Sequence, residues 1–338
     1  MATMNDVARV AEVSIATVSH VINGTRYVSP ERVERVHAAM RELDYTPDGT
    51  ARSLRLGRTE TLGLVVPDNG NPFFAELARG IEEAAFAAGY TTFLANSDER
   101  PERESQYIRT LLSKRVDGLI VVPSRADDGT LAELLGKADV PVVLVDREAA
   151  VGTADLVVHD NRRGGYDVAR YLLDLGHTRL ACVAGPPDLT PAVERLAGFR
   201  DALRDAGVAL GDDAVAHGDF HFPGGREAAA RLLERGASFT ALFAANDLMA
   251  AGAIRELGDR GIAVPRDISV VGFDDAPLAE MIVPTLTTVR QPLEEMAEAA
   301  VSLLLGRLAK DGTATPVRRI LPTRLVVRES AAPVDPRP

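Results

Sequence analysis

From residue 61 onward, short apolar strands alternate with amphipathic helices, and this pattern constrains the fold of the 338-residue chain more than any other feature. It predicts strands at 62–66, 92–95, 119–122, 142–145 and 156–158, and helices near 74–88, 104–115 and 130–136. Strands that are apolar on both sides and separated by helices belong to parallel sheets covered on two faces. We therefore expect an α/β fold with a doubly wound sheet.

A second series of the same kind begins at 180–184. It predicts further strands at 242–245 and 268–272, and helices near 193–206, 225–235 and 247–260. The segments 80–89 and 198–207 resemble each other, as expected of the first helices of two halves. We therefore expect two α/β subdomains. The segment 286–291, a helix near 293–308 and a strand at 325–328 are expected to cross back between them.

Residues 3–23 predict two short helices joined by a tight turn. Thr3 and Asp6 have the spacing of a near capping box, and Ser14 is the predicted cap of the second helix. That helix has an inward face of Val18, Val21 and Ile22 and an outward face of Ile15, Ala16, Ser19, His20 and Asn23. A short helix with small and polar outward residues fits the major groove of DNA. A small helical bundle or docking module is the alternative.

A third helix is predicted to start at Ser29-Pro30, with Ser as its cap and Pro at its first position. The segment that follows, 48–58, contains Leu54 among three arginines, Arg52, Arg55 and Arg58. An apolar side chain flanked by arginines suits insertion into the minor groove. The alternative is an ordinary linker that contains an isolated Leu.

The formal net charge of −11 by itself disfavours a nucleic-acid partner. Residues 1–58 nevertheless contain eight Arg and seven acidic residues, a net charge of +1, so the remainder carries −12. Arginines on the DNA side still permit binding, with weak and salt-sensitive non-specific affinity. The motif, and not the bulk charge, therefore favours DNA binding.

Composition excludes several other classes of protein. There is no signal peptide and no run of eighteen apolar residues, so we expect a soluble cytoplasmic protein without membrane contact. The single cysteine, Cys182, lies in an apolar run and is expected to be a buried thiol. The motifs G-x-x-x-x-G-K-[ST] and G-x-S-x-G and metal-spaced His or Cys clusters are absent, so we expect no enzymatic activity, cofactor or metal. A transport binding protein would need an export signal and would not need residues 1–58.

Polar and aromatic residues follow the predicted strands, at 67–74, 146–147, 246–247 and 273–275. In open parallel sheets, ligands bind beyond the carboxyl ends of the strands. Carboxylate and guanidinium groups can bridge adjacent hydroxyls while Phe rings cover C–H faces, so these positions suit a polyhydroxylated ring. Asn69, Asp247 and Asp275 are better interpreted as helix caps. Asp146-Arg147 has no helix to cap, which favours a function in binding.

The N-terminal segments 6–8, 17–23 and 51–55, which read Asp-Val-Ala, Thr-Val-Ser-His-Val-Ile-Asn and Ala-Arg-Ser-Leu-Arg, resemble the LacI/GalR family of transcription regulators. The pattern is close to the ribose and purine repressors of that family, and the resemblance extends to about Glu329. It implies that the helix from Ile15 enters the major groove. It also implies that Leu54 of two hinge helices opens the operator centre.

The resemblance implies a set of DNA contacts, namely Thr3, Ser14, Ile15, Ala16, Thr17, Ser19, His20, Asn23, Arg26, Arg52, Leu54 and Arg55. Two departures from the family pattern stand out. The turn between the helices usually has Gly or Asn, and here it has Glu12, whose Cβ disfavours a left-handed backbone. The reading helix starts with Ile15-Ala16, which offer only apolar contact to thymine methyl groups. His20 is then the main polar base reader, although a plain surface histidine is the alternative.

The remainder resembles the periplasmic sugar-binding proteins. By this resemblance the effector contacts are Asn71, Phe73, Phe74, Asp146, Arg147, Arg195, Phe220, Asn246, Asp274 and Gln291. Where ribose repressors tend to carry another arginine, two residues before Arg195, this chain has Val193. Ribose remains a plausible ligand, and a different or less polar ligand is the alternative.

The expected fold is an N-terminal helix-turn-helix headpiece with two doubly wound α/β subdomains of the periplasmic-binding-protein (type I) kind. The headpiece spans 1–46 and the hinge 47–60. The N-subdomain spans 61–160 and 291–321, the C-subdomain 161–290 and 322–330, and residues 331–338 form a disordered tail. A homodimer is expected to bind a pseudo-palindromic operator as a repressor. A small sugar, such as a pentose, is expected to release it, and a purine corepressor that holds it on DNA is the alternative.

Overall fold

The computed structural model describes residues 2–45, 58–124, 129–309 and 315–334. The chain divides into two compact units, 1–59 and 60–338. Arg52, Leu54 and Arg55 of the predicted hinge lie outside the described residues.

The first unit contains three helices in its described part, α1 (Met4–Val10), α2 (Ile15–Asn23) and α3 (Pro30–Glu42). The capping box of α1 is confirmed, because Thr3 Oγ1 accepts from the Asp6 amide at 3.3 Å and Asp6 Oδ2 accepts from the Thr3 amide at 3.0 Å. Ser14 caps α2 by accepting from the Thr17 amide at 3.1 Å. Ser29 and Pro30 stand at the predicted N-cap and first position of α3, although the Ser29 side chain makes no capping hydrogen bond.

The turn between α1 and α2 is a Schellman motif with Glu12 at its left-handed position, at φ 50°. The amide of Val13 donates to the Ala8 carbonyl at 3.0 Å, and the amide of Glu12 donates to the Arg9 carbonyl at 3.3 Å. Arg35 reaches across from α3 and donates to the Glu12 carbonyl at 3.0 Å. The three helices bury a small core of Val7, Ala8, Ala11, Val18, Val36 and Ala39.

The second unit alternates strands and helices. Its first half contains β1 (Thr61–Val66), α4 (Pro72–Ala87), β2 (Thr91–Asn96), α5 (Pro101–Ser113), β3 (Gly118–Val121), α6 (Thr130–Gly136), β4 (Val142–Val145) and β5 (Asp155–His159). There follow α7 (Asn161–Asp174), β6 (Leu180–Ala184), α8 (Thr190–Asp205), β7 (Val215–His217), α9 (Phe222–Glu234), β8 (Ala241–Ala244), α10 (Asp247–Asp259), β9 (Ser269–Val271), α11 (Leu278–Met281), β10 (Thr288–Arg290), α12 (Leu293–Leu308), β11 (Arg318–Leu321) and β12 (Arg324–Val326).

These elements form two lobes, each built on a parallel sheet. The first lobe, residues 61–159 with 293–321, has six strands in the order β11-β5-β4-β3-β1-β2. The second lobe, residues 161–290 with 324–334, has four strands in the order β7-β6-β8-β9. A short antiparallel pair, β10 with β12, completes it. The prediction of parallel sheets is therefore confirmed.

Both sheets are covered on two faces, as the apolar runs require. In β1, Leu64 packs toward α4 and α12, whereas Val65 packs toward α5 and α6. In β6, Cys182 packs toward α7 and α8, whereas Val183 packs toward α9 and α10. The buried Cys182 thiol agrees with its prediction, and burial raises its pKa to about 12.

The chain passes between the lobes at three places, near 159–161, 290–293 and 321–324. Order continues past residue 330, since Ala332 exchanges hydrogen bonds with Ser269 and its carbonyl accepts from His177 Nε2 at 3.0 Å. The predicted disordered tail is thus wrong for residues 331–334. Residues 335–338 lie outside the described residues.

Four elements had no individual prediction: α7, β7, α11 and β11. Gly164 and Gly165 lie near the start of α7, and their low helix propensity obscures its helical sequence pattern. Gly165 is needed there, because a Cβ at this position would overlap the backbone of Arg195 on α8. Gly198 of α8 meets the Arg162 carbonyl in the same way. Close helix packing therefore holds the backbone of Arg195. Within the described part of the chain, no helix is long and apolar enough to cross a bilayer.

Candidate functional site

The outward face of α2 is the candidate nucleic-acid surface of the first unit. Ile15 is 49 % exposed and Ala16 is exposed beside it. His20 Nδ1 is 2.8 Å from Thr25 Oγ1, a contact that fixes the ring and leaves Nε2 as the group for an outside partner. Depending on the tautomer, Nε2 is then either the donor or the acceptor.

Several other predicted DNA contacts already have partners inside the unit. Thr3 belongs to the capping box, and the hydroxyls of Ser14 and Thr17 lie 2.9 Å apart. The Asn23 amide donates to the Ser19 carbonyl at 2.6 Å. Arg26 is exposed just beyond the end of α2. The apolar pair Ile15-Ala16 and the ring of His20 are therefore the groups on α2 best placed to meet bases.

The second unit has a cleft between its lobes, at the carboxyl ends of the strands. The space between its lining atoms is about 390 Å³, a figure that includes volume open to solvent. Nine of the ten predicted effector residues line it, and the lining also includes Asp68, Glu99, Pro191 and His221. The tenth, Gln291, is buried behind Asp274 and donates to its Oδ1 at 2.6 Å. We call this site the interlobe cleft.

Aromatic rings form one wall of the interlobe cleft. Phe73 and Phe74 start α4 and meet edge to face, with ring centroids 5.0 Å apart. Asn71 caps α4 by accepting from the Phe73 amide at 3.1 Å. Phe220 faces them from the second lobe, with the Arg195 guanidinium 5.9 Å from its centroid. Such rings can cover the apolar faces of a ligand.

Two buried arginines provide the cationic groups of the interlobe cleft. Arg147 makes a two-point ion pair with Glu99, at 3.0 Å for each bond, and also donates to the Ser124 carbonyl at 2.6 Å. Arg195 donates to Asn161 Oδ1 at 2.8 Å, to the Ala245 carbonyl at 2.7 Å and to Asp274 Oδ1 at 3.3 Å. Both guanidinium groups are thereby oriented before any ligand arrives.

The floor contains buried polar atoms that lack hydrogen-bond partners. They are Asp146 Oδ1, Gln291 Oε1 and both ring nitrogens of His159. His159 ends β5, and its Nδ1 lies 3.8 Å from Asp146 Oδ1. His159 interacts with the side chains of both Asp146 and Gln291, so these groups form one buried polar cluster, of which Asp146 belongs to the lining of the cleft.

The backbone of the interlobe cleft is strained at three contact residues. Asp146, Phe220 and Asp274 have φ values of 65°, 67° and 123°, respectively. Residues with a Cβ rarely adopt such angles, and in folded proteins they cluster at binding sites. All three residues belong to the lining of the cleft.

Burial controls the ionisation of the floor. Burial lowers the pKa of His159 by more than the nearby Asp146 carboxylate raises it, so the ring is neutral. Burial raises the pKa of Asp146, but the His159 ring and the charges of Arg147 and Arg195 together bring it below its ordinary value. Burial also raises the pKa of Asp274 to about 7, against the opposing charge of Arg195. The pKa of Asp247, behind Asp274, is also raised well above its ordinary value, first by burial.

The predicted capping roles of Asn69, Asp247 and Asp275 are wrong. The caps are Asn71 for α4 and Asn246 for α10, whose Oδ1 accepts from the Met249 amide at 2.9 Å. Asp247 instead accepts from the Ala276 amide and from Thr288 Oγ1, and Asp275 pairs with Arg290 and Arg328. The backbone N–H of Asn69 donates to Asn96 Oδ1 at 3.0 Å.

Sequence reasoning also missed several residues of the site. Asp68 and Glu99 follow β1 and β2, so the strand-end rule could have found both. His159 also follows that rule, but its burial under the cleft depends on packing. Val193, whose side chain raised doubt about ribose, is half exposed and is not among the described residues that line the interlobe cleft. It lines a separate groove with Leu196.

Comparison with protein families gives two matches that together cover nearly the whole chain. Residues 59–328 match the family described as periplasmic binding proteins and sugar binding domain of LacI family. Residues 3–48 match bacterial regulatory proteins, lacI family.

Individual relatives match over nearly their full length. The ribose operon repressor of Escherichia coli (strain K12) is 41% identical over 310 residues, which cover 92% of this chain and 94% of the relative. The transcriptional repressor PurR of Photobacterium profundum is 38% identical over 330 residues, 98% of each chain. A crystal structure of the lac repressor dimer bound to operator and an anti-inducer has a TM-score of 0.87 at 29% identity, with 98% and 99% of the two chains covered.

Proposed function

Because the chain belongs to the LacI family of bacterial regulatory proteins, we propose that it is a transcriptional repressor whose operator affinity is set by a small sugar in the interlobe cleft. The observation that carries the proposal is the cleft between two lobes, which combines facing Phe rings with buried carboxyl and guanidinium groups. The same chain has a helix-turn-helix unit with an exposed second helix. A sensor and a DNA reader in one chain make a regulator.

The DNA contacts centre on α2. Ile15 and Ala16 meet thymine methyl groups in the major groove, and His20 Nε2 reads a base edge. Ser14, Thr17, Ser19, Asn23, Thr3 and Arg26 position phosphates, and Arg52, Leu54 and Arg55 bind the minor groove at the operator centre. One headpiece offers few contacts, so two copies bind a pseudo-palindromic operator.

A homodimer supplies those two copies. The second unit exposes large apolar side chains that a second copy would cover: Phe86, Phe93, Leu94, Met281 and Val283. A relative with a TM-score of 0.87 is a dimer on operator DNA. A repressor works where the chromosome is, so we place the chain in the cytoplasm and assign it no enzymatic role.

A pentose is the favoured effector. Hydroxyl groups can donate to the Asp146 carboxylate, while Phe73, Phe74 and Phe220 cover the ring faces. The ribose operon repressor is 41% identical to this chain. Sugar binding closes the lobes and shifts the dimer to a state of low operator affinity, by the difference in sugar affinity between the two states.

A purine corepressor is the second candidate, because PurR relatives reach similar identity and the facing Phe rings also suit a planar base. To separate the two, an operator is first selected from a random duplex library with the full chain. Fluorescence anisotropy then measures its affinity with D-ribose, hypoxanthine or neither. We expect D-ribose to weaken binding by roughly 10-fold or more and hypoxanthine to have no effect. Tighter DNA binding with hypoxanthine would refute the sugar proposal.

A further inference from the structure

The interlobe cleft has more acidic than basic side chains. Among the described residues, four carboxyl groups line it, from Asp68, Glu99, Asp146 and Asp274. The basic groups of the lining are the two guanidinium groups of Arg147 and Arg195 and the ring of His221, whose Nε2 lies 3.3 Å from Asp68 Oδ2. His159 below the floor adds no positive charge, since burial lowers its pKa. The residue lining therefore has a net negative charge.

Each of the two guanidinium groups is already paired with a carboxyl group of the site. Glu99 occupies two donors of Arg147, and Asp274 with the Ala245 carbonyl occupies Nη1 of Arg195. Each cation thus already has a carboxylate within about 3.3 Å. The raised pKa of Asp274 has burial as its first cause and the Asp146 charge among the others, so a carboxyl of the site itself resists ionisation.

The helix ends at the cleft give little alternative help to an anion. Asn71 and Asn246 already accept hydrogen bonds from first-turn amides of α4 and α10. The start of α8 has no side-chain cap. The residue of this helix start that lines the cleft is Pro191, which has no N–H group to donate to an anion.

The carboxyl groups of the lining also favour a hydrogen-bond donor. Asp146 Oδ1 has no hydrogen-bond partner in the described part of the chain and, as a carboxylate oxygen, can only accept. A sugar hydroxyl can donate to a carboxylate of the lining, whereas the phosphate group of a sugar phosphate, as a dianion, can only accept. Both the charge and the hydrogen-bond inventory thus favour hydroxyl groups over phosphate.

We infer that the effector is an uncharged, unphosphorylated sugar, and that the cleft rejects the phosphate ester of the same sugar. This inference rests on the proposed function, because it specifies the ligand of the same site. It links the repressor to the free sugar as it enters the cell and not to the product of a later phosphoryl transfer.

Isothermal titration calorimetry of the full chain with D-ribose and D-ribose 5-phosphate, at equal pH and ionic strength, tests the inference. We expect D-ribose to bind at least about 100-fold more tightly, the scale of repulsion between a phosphate and a nearby carboxylate in a partly buried site. Equal or tighter binding of the phosphate would overturn the inference while leaving a sugar-responsive repressor in place. If neither sugar binds and hypoxanthine does, both the inference and the sugar proposal fail.

A matched pair of variants tests the cause. Glu99→Gln frees the Arg147 charge, so we expect the preference for D-ribose over its phosphate to fall by about 10-fold or more. Glu102→Gln, an exposed change of the same kind outside the cleft, should leave the preference unchanged. Asp68→Asn gives a second reading if Glu99→Gln proves poorly folded by thermal unfolding. Unchanged preference in folded variants at both positions would contradict the electrostatic cause.

Discussion

Glu12 holds a left-handed backbone angle that a residue with a Cβ adopts only at some cost. Its structural role is carried by its backbone, through the Schellman bonds and the Arg35 contact to its carbonyl. We expect Glu12→Gly to raise the stability of the first unit by about 1 kcal/mol. Thermal unfolding followed by circular dichroism measures the change. As a control, Ala38→Gly introduces a glycine at an exposed position in the middle of α3, and it should lower the stability of the first unit by about 1 kcal/mol.

Asp274 gives the second unit a specific pH dependence. Its pKa of about 7 in the folded chain lies above the ordinary value of 3.8. Below about pH 4 this carboxyl is protonated in both the folded and the unfolded chain, and its full contribution to stability is present. As the pH rises toward 7 the unfolded chain releases the proton first, so this contribution to the unfolding free energy is lost. As the pH rises, the Asp274→Asn variant should therefore lose roughly 3–4 kcal/mol less unfolding free energy than the unaltered chain.

Chemical denaturation at several pH values between 4 and 8 measures that effect. The exposed Asp139→Asn makes the same change of charge and should follow the unaltered chain. If Asp274→Asn and the unaltered chain lose stability in parallel over this window, the raised pKa is not responsible.

At the level of single residues, sequence reasoning can identify the contact residues at the strand ends, because the topology determines which strand ends lie at the same edge of a sheet. Asp146 and Arg147 are found in that way, and the cleft lining includes both. The sequence does not reveal which partner each group takes. Gln291 orients Asp274 from behind, and His159 lies under the floor, and both placements depend on packing between distant segments.

The helix pair α7 and α8 approaches closely enough that its glycines have no room for a methyl group. Gly198→Ala must push α8 away from the Arg162 carbonyl, and we expect a loss of about 3 kcal/mol or more of unfolding free energy. Because α8 carries Arg195, D-ribose affinity should also fall in any folded fraction.

Gly306→Ala is the matched control, since this glycine is exposed on α12 with nothing within 4 Å of its Cβ position. It should raise stability by about 0.5–1 kcal/mol. A Gly198→Ala variant as stable as the unaltered chain would mean that the helices can separate without loss.

The longer elements follow from the sequence because their apolar runs and helical periods are strong. The exceptions have physical reasons. The three-residue β7 is too short to show a period, and β11 begins with Arg318-Arg319 at an exposed sheet edge. The close packing of α7 against α8 requires glycines in α7. Because glycine has a low helix propensity, the sequence pattern indicates an interruption of the helix at this point.

For the whole molecule, every described residue that lines the interlobe cleft lies between 68 and 274, within the second unit. We therefore expect a chain of residues 60–338 to bind D-ribose with a Kd within about twofold of the full chain. The same chain should lose operator binding. Calorimetry and anisotropy measure the two properties, and a large change in sugar affinity would mean that residues 1–59 contribute to the effector site.

The three passages between the lobes also decide when the molecule can fold during its synthesis. Helix α12 supplies Met296, Val301 and Leu304 to the core of the first lobe, and β11 forms one edge of its sheet. The second lobe needs Ser330, whose hydroxyl donates to the Val270 carbonyl at 2.6 Å. Both lobes thus wait for the last part of the chain to leave the ribosome, whereas the first unit can fold early. A nascent chain would possess its DNA-reading helices well before it could sense its effector.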